Sequence, residues 1–105
     1  MSTAFVRVTY VVPREGQVDR VREVLQKLSD YYISQPGYRG GYLLLPHPGA
    51  NPPALGRFGA WDSDTQAEEA AQTEYSMALR ADLLRLIHED SHLELTFDGL
   101  MDGEK

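Results

Sequence analysis

The chain contains no cysteine. Disulfides, thiolate nucleophiles, thiolate-bound metals and iron–sulfur clusters are therefore excluded. It also lacks any basic run. Its ten Lys and Arg are scattered, and the net charge is −6. Nucleic acid and anionic membranes are recognised by clustered positive charge, so neither is an expected partner. No apolar stretch approaches membrane-spanning length. Met1 to Val12 alternates apolar with polar residues instead of showing the charged and then continuously apolar order of a secretory leader. A cytoplasmic location is the expectation. The phosphate-cradling patterns are missing too: there is no Walker loop and no G-x-G-x-x-G. Gly37-Tyr38-Arg39-Gly40-Gly41 leads into a strand, not a helix. No G-x-S-x-G frames a serine nucleophile.

What is present fits one globular domain of 105 residues with 42% apolar content. Its core is expected over residues 4–98, with a tail over residues 99–105. Ala4 to Val12 is rich in β-branched and aromatic residues and reads as a strand that Pro13 stops. Val6, Val8, Tyr10 and Val12 share one of its faces; Phe5, Arg7, Thr9 and Val11 share the other. Both faces are largely apolar, which predicts that both are covered.

Residues 16–34 read as a helix, with Val18, Val21, Leu25, Leu28 and Tyr32 at three- and four-residue spacing. Pro36-Gly37 ends it. Tyr38 to Leu45 is a second strand, where Gly40-Gly41 marks a bulge or a close backbone approach. Pro46 to Pro53 carries four prolines and is a loop. Ala54 to Trp61 is a third strand, in a hairpin with the second. Asp62-Ser63-Asp64 offers helix caps. A helical stretch follows from Thr65 to His88, with an interruption at Gln72-Thr73-Glu74 and an apolar stripe of Tyr75, Leu79, Leu83, Leu86 and Ile87. Ser91 to Asp98 alternates as a last strand. The order strand, helix, two strands, helix, strand predicts an α+β, ferredoxin-like βαββαβ fold on a four-stranded antiparallel sheet.

Candidate chemistry is sparse. His88-Glu89-Asp90-Ser91-His92 matches H-E-x-x-H, a zinc motif when one helix face carries both imidazoles. Here a helix is ending and a strand beginning, so the ordinary reading is two histidines at a helix C-terminus. Arg7 and Thr9 lie mid-strand beside Phe5 and Val11. A buried arginine needs a partner, and Glu94 or Thr96 on the last strand is placed to supply it, with Arg57 joining them. That set is either a structural ion pair or a substrate site. Trp61 and Tyr75 read first as core.

Pro36-Gly37-x-x-Gly40-x-x-Leu43, then a hairpin, then Trp61-Asp62-Ser63 opening a helix, resembles the antibiotic biosynthesis monooxygenase domain. The resemblance runs from about Phe5 to Phe97. It implies a homodimer in which two sheets pack face to face as a dimeric α+β barrel, and a pocket between sheet and helices. It also implies a cofactor-independent monooxygenase acting on a small aromatic molecule of quinol or polyphenol type. The alternative is a non-catalytic, dimeric small-molecule-binding or accessory module of the same fold. No cofactor is expected. Arg7, Arg57 or Arg80 would stabilise a phenolate, Thr9 would sit beside them, and Trp61 or Tyr75 would pack on the ring. The haem-degrading branch uses an Asn on the first strand and a Trp and a His on the second helix. Those positions read Thr9, Ala70 and Arg80, so the resemblance does not extend to haem degradation.

Overall fold

The computed structural model describes residues 3–103. The elements are β1 (Ala4–Val11), α1 (Val18–Tyr32), β2 (Tyr38–Leu44), β3 (Leu55–Trp61), α2 (Asp64–Ala71), α3 (Glu74–Leu86) and β4 (Leu93–Gly99). The strands lie in the order β2-β3-β1-β4, and every neighbouring pair is antiparallel. This is the ferredoxin-like βαββαβ arrangement, with its second helix broken in two. The strand tail expected from Gly99 is shorter than predicted, because Gly99 itself pairs with Ala4. Glu104 and Lys105, which complete that tail, lie outside the described residues.

Local chemistry explains the boundaries. Helix α1 starts later than its periodicity predicts because Gly16 has φ +78°, a left-handed conformation that cannot enter a right-handed helix. Val18 therefore sits in the first turn and is 38% exposed. Val21, Val24, Leu25, Leu28 and Tyr32 form the buried stripe. Burying each large aliphatic side chain is worth about 1.5–3 kcal/mol. Gly37 follows with φ +86°. Its carbonyl accepts from the Asp62 amide at 2.8 Å, and a Cβ there would lie 2.3 Å from Gln66 Oε1. Only glycine lets the start of β2 touch the start of α2 in this way. The break between α2 and α3 falls where expected. Ser63 Oγ accepts from the Gln66 amide at the head of α2, and Thr73 Oγ1 accepts from the Ser76 amide at the head of α3.

Gly40-Gly41 carries both readings offered for it. The β2–β3 register shifts between Tyr38 and Gly40, and a Cβ on Gly41 would lie 1.9 Å from the Phe58 carbonyl oxygen.

The register sorts residues onto two faces. Under the helices, Thr9 lies beside Arg57 and Glu94, and Arg7 beside Gly59 and Thr96. On the other face, Leu95, Val8, Phe58 and Tyr42 form one row across the four strands. Val6, Ala60 and Phe97 form a second row, and Tyr10, Leu93 and Leu44 belong to a third. The expectation that both faces of β1 are covered is not met within the single chain. Among the described residues no helix covers this second face, and Leu93, Leu95 and Phe97 are each about half exposed.

Candidate functional site

A cavity of about 70 Å³ lies between the sheet and the helices. Thr9 and Arg7 from β1 and Arg57 and Gly59 from β3 form its floor. Gly59 creates the space. A Cβ there would make only ordinary contacts, 3.5 Å from Trp61 Nε1 and 3.5 Å from Tyr38 Cε1, so its absence leaves room rather than relieving a clash. Trp61 and Tyr32 supply aromatic walls, and Leu25, Leu28 and Leu83 line it from the helices. Arg80, His92 and Glu94 line it on the β4 side.

Each aromatic wall is held. Tyr32 shares a hydrogen bond with the fully buried Ser76 hydroxyl at 2.8 Å, and Trp61 meets the Tyr32 ring edge-on at 5.5 Å. The Arg57 guanidinium lies 5.0 Å from the Tyr32 ring centre. Arg57 Nε donates to Ser29 Oγ at 2.8 Å, and Nη2 donates to the Tyr38 hydroxyl at 3.0 Å.

The charges are unequal. Glu94 takes both Nη atoms of Arg80, at 3.0 and 3.5 Å. It also lies 3.8 Å from Arg7 Nε and 3.9 Å from His92 Nε2. Arg7 reaches Glu68 at 3.3 Å, while its buried Nε has no hydrogen-bond acceptor. Burial opposes the Arg80 charge, but the hydrogen-bonded Glu94 carboxylate and the Tyr32 hydroxyl outweigh it, so the pKa of Arg80 stands above its ordinary value. Three guanidiniums and one carboxylate thus face one small space.

Among the six residues singled out from sequence, Arg7, Thr9, Arg57, Trp61 and Arg80 line this cavity. Tyr75 does not. It is 50% exposed and packs on Tyr31 at 4.9 Å between ring centres. Ser76 takes the inward position expected of Tyr75, followed by Leu79, Leu83 and Leu86. A serine is tolerated there because Tyr32 satisfies it.

Glu94 was expected only as a partner for Arg7, Tyr32 only as core, and His92 at a helix end or, with His88, as a zinc ligand. The signal for Glu94 lay in strand pairing, since it stands opposite Thr9. His88 and His92 do not share a helix face, because α3 ends at Leu86. Among the described residues there is no cluster of three or more His, Asp or Glu side chains able to hold a metal ion.

No family model matches the sequence, and no curated protein matches it. Solved structures do. SnoaB, a cofactor-independent oxygenase from Streptomyces nogalater, superposes with a TM-score of 0.80 at 14% identity, over 96% of this chain and 98% of that one. The ferredoxin-like fold is one that solved structures described as antibiotic biosynthesis monooxygenases share. A Nitrosomonas europaea protein provisionally described as such an enzyme gives a TM-score of 0.84 at 14% identity, covering 97% of this chain and 95% of its own. Rv0793 from Mycobacterium tuberculosis gives 0.80 at 16% identity, covering 96% and 99%. At these identities the likeness concerns architecture.

Proposed function

We propose that the cavity binds a small, single-ring phenol or hydroquinone and that the protein promotes its oxidation by dioxygen. The observation that carries this reading is the joint presence, around one cavity, of two anchored aromatic walls and an excess of guanidinium charge. The fold shared with a cofactor-independent oxygenase supports it as analogy.

The chemistry follows from the residues. Trp61 and Tyr32, in edge-on contact with each other, pack together against the ring from one side. Arg7 and Arg80 favour its phenolate, and Arg57 adds positive charge on the β3 side of the cavity. An electron-rich phenolate is itself the reductant for dioxygen. One oxygen atom enters the ring and the other leaves as water, so that a hydroquinone plus dioxygen gives a hydroxyquinone plus water. All electrons come from the substrate, which is why the arrangement asks for a closed, cationic pocket more than for an added redox group. The space is about 70 Å³, less than half the roughly 150 Å³ of an engineered cavity that takes benzene. Even a one-ring ligand therefore enters only as lining side chains such as Leu84 or Arg80 move aside, and a fused-ring phenol would need far more.

The apolar second face of the sheet accepts a second copy of the chain. Two such faces packed together would remove Leu95, Val8, Phe58 and Tyr42 from water, as the dimeric barrel requires. Among the described residues no helix is long and apolar enough to cross a membrane.

The non-catalytic reading keeps the same pocket and partner without the oxidation, and the narrowness of the cavity favours it. Dioxygen uptake separates the two. Uptake with single-ring hydroquinones should exceed the spontaneous rate and fall about tenfold or more in Arg7→Ala. Uptake no faster than the spontaneous rate across the panel would leave the binding module as the function.

A further inference from the structure

Among the described residues, Arg57 is the one cavity-lining arginine with no carboxylate partner; the Tyr32 ring beneath its guanidinium is its nearest electrostatic compensation. It is 7% exposed. Arg7 and Arg80 each have a carboxylate within reach, in Glu68 and Glu94. Among the described residues no carboxylate lies within 4.0 Å of Arg57. Its neutral partners occupy Nε and Nη2. Nη1 lies 3.8 Å from the point where a Gly59 Cβ would stand, over the cavity floor. Thr9, its neighbour across β1 and β3, lines the same space.

A buried cation without a counter-ion is costly, and proteins pair such charges or place them where a ligand does so. A phenol is a poor answer to this demand. Its hydroxyl has a reference pKa near 10, so it is neutral around pH 7 unless the site spends energy to ionise it. A carboxylate arrives already charged and forms strong charge-assisted hydrogen bonds with a guanidinium.

We infer that the ligand of this cavity is an aromatic carboxylic acid, with its carboxylate on Arg57 Nη1 at the β3 end and its ring beside Trp61. The inference rests on reading the cavity as a ligand site, but not on the oxidation. Arg57 is then a specificity-determining residue: it selects acids over neutral rings of the same shape. The ring hydroxyl of such an acid would point towards β4, where Arg7 Nε lacks an acceptor and Arg80 and His92 lie.

Isothermal calorimetry with 4-hydroxybenzoate and its uncharged isostere 4-hydroxybenzamide tests this at about pH 6.5, where both phenols are largely neutral. Trp61 is the only tryptophan in the chain, so its emission reports whether the ligand reaches this cavity. The acid should bind at least about tenfold more tightly than the amide and change Trp61 emission. Arg57→Met should abolish the preference by weakening the acid alone, and Arg57→Lys should retain part of it. Should Arg57→Met fail to fold, the acid–amide comparison on the unaltered protein still decides.

Equal affinities would overturn the inference and leave the cavity reading standing. Acetate binding as tightly as 4-hydroxybenzoate would also overturn it, since the site would then be one for a bare anion. Binding of neither ring compound would sink both inference and cavity. A preference for the acid without any dioxygen uptake would sink only the oxygenase.

Discussion

On the face under the helices, the strands carry Arg7, Thr9, Arg57 and Glu94. On the opposite face the same strands carry Val6, Val8, Phe58, Leu95 and Phe97. The inner face also carries the core residues Val11, Leu55 and Trp61, so its charges are a polar island in an apolar layer, whereas the outer face is apolar where a free-standing sheet would be polar. Both departures point to something the chain does not itself supply. Buried charge at the inner face calls for a ligand that uses it, and apolar surface at the outer face calls for a cover. The alternation of a strand makes the two faces separable by mutation, because neighbouring residues on one strand report on opposite sides.

The largest effect should come from the outer face. Leu95 stands in the central apolar row beside Val8. In Leu95→Glu an unpaired carboxylate would enter the sheet-to-sheet contact, at a cost of about 3–5 kcal/mol. The dissociation constant of the dimer, followed by sedimentation, should rise by about two orders of magnitude or more. A wild-type protein that sediments as one chain at every concentration would break the comparison at once, since the outer face would then be apolar without a cover.

At the inner face, Gly59→Ala should split stability from function. The new methyl meets Trp61 and Tyr38 at 3.5 Å each, which is ordinary contact, and Gly59 has no positive φ to protect. Replacing glycine at such a position stabilises by about 0.4–1 kcal/mol through the unfolded chain. The same methyl occupies the cavity floor, so turnover or ligand affinity should drop about tenfold. A denaturant midpoint that falls together with activity would mean that the space at Gly59 serves packing rather than a ligand.

Much of this contrast was legible in the strands and less of it in the helices. Period-two alternation put Arg7 and Thr9 on one side of β1 and Val6 and Val8 on the other without any tertiary knowledge, and antiparallel pairing then offered Glu94. The helices resisted because hydrophobic periodicity ranks residues by side chain, not by what waits to receive them. Tyr75 and Leu79 fit a helical stripe better than Ser76 does, yet Ser76 is inside, held by the Tyr32 hydroxyl. That partner comes from another helix, 44 positions earlier in the chain. The cavity itself was invisible for a related reason: it is a missing side chain at Gly59, and a strand glycine reads equally as a bulge, a close approach or a gap.

A smaller effect is expected at the rim of the inner face. Arg80→Met removes the two hydrogen bonds to Glu94. The side chains of this pair are 35% and 25% exposed, so solvent screening keeps the loss to about 1 kcal/mol or less. The sign of its pH dependence is set by the raised pKa of Arg80. A group whose pKa is raised on folding contributes its full stabilisation below the unfolded value and loses it only as pH climbs through the folded one. For an arginine both lie beyond ordinary titration. The stability difference between Arg80→Met and wild type should therefore stay flat from about pH 6 to pH 10. A difference that shrinks as pH rises through that window would show that some other group carries the effect.

Tyr75→Ala should do least, and its value lies in that. The residue is half exposed and its one aromatic contact is the ring of Tyr31 at 4.9 Å, worth about 0.5–1.5 kcal/mol beyond area burial when well formed. It touches neither the cavity nor the apolar outer face. Tyr31 keeps its other hold, the hydrogen bond from its hydroxyl to Thr73 Oγ1 at 2.9 Å, so the cap of α3 should survive. A thermal midpoint lowered by a few degrees, with ligand affinity unchanged within about twofold, is the expected outcome. A loss of affinity as large as that in Gly59→Ala would mean that the α2–α3 junction, and not the sheet face alone, shapes the site. In that case the two-face comparison would need a third surface.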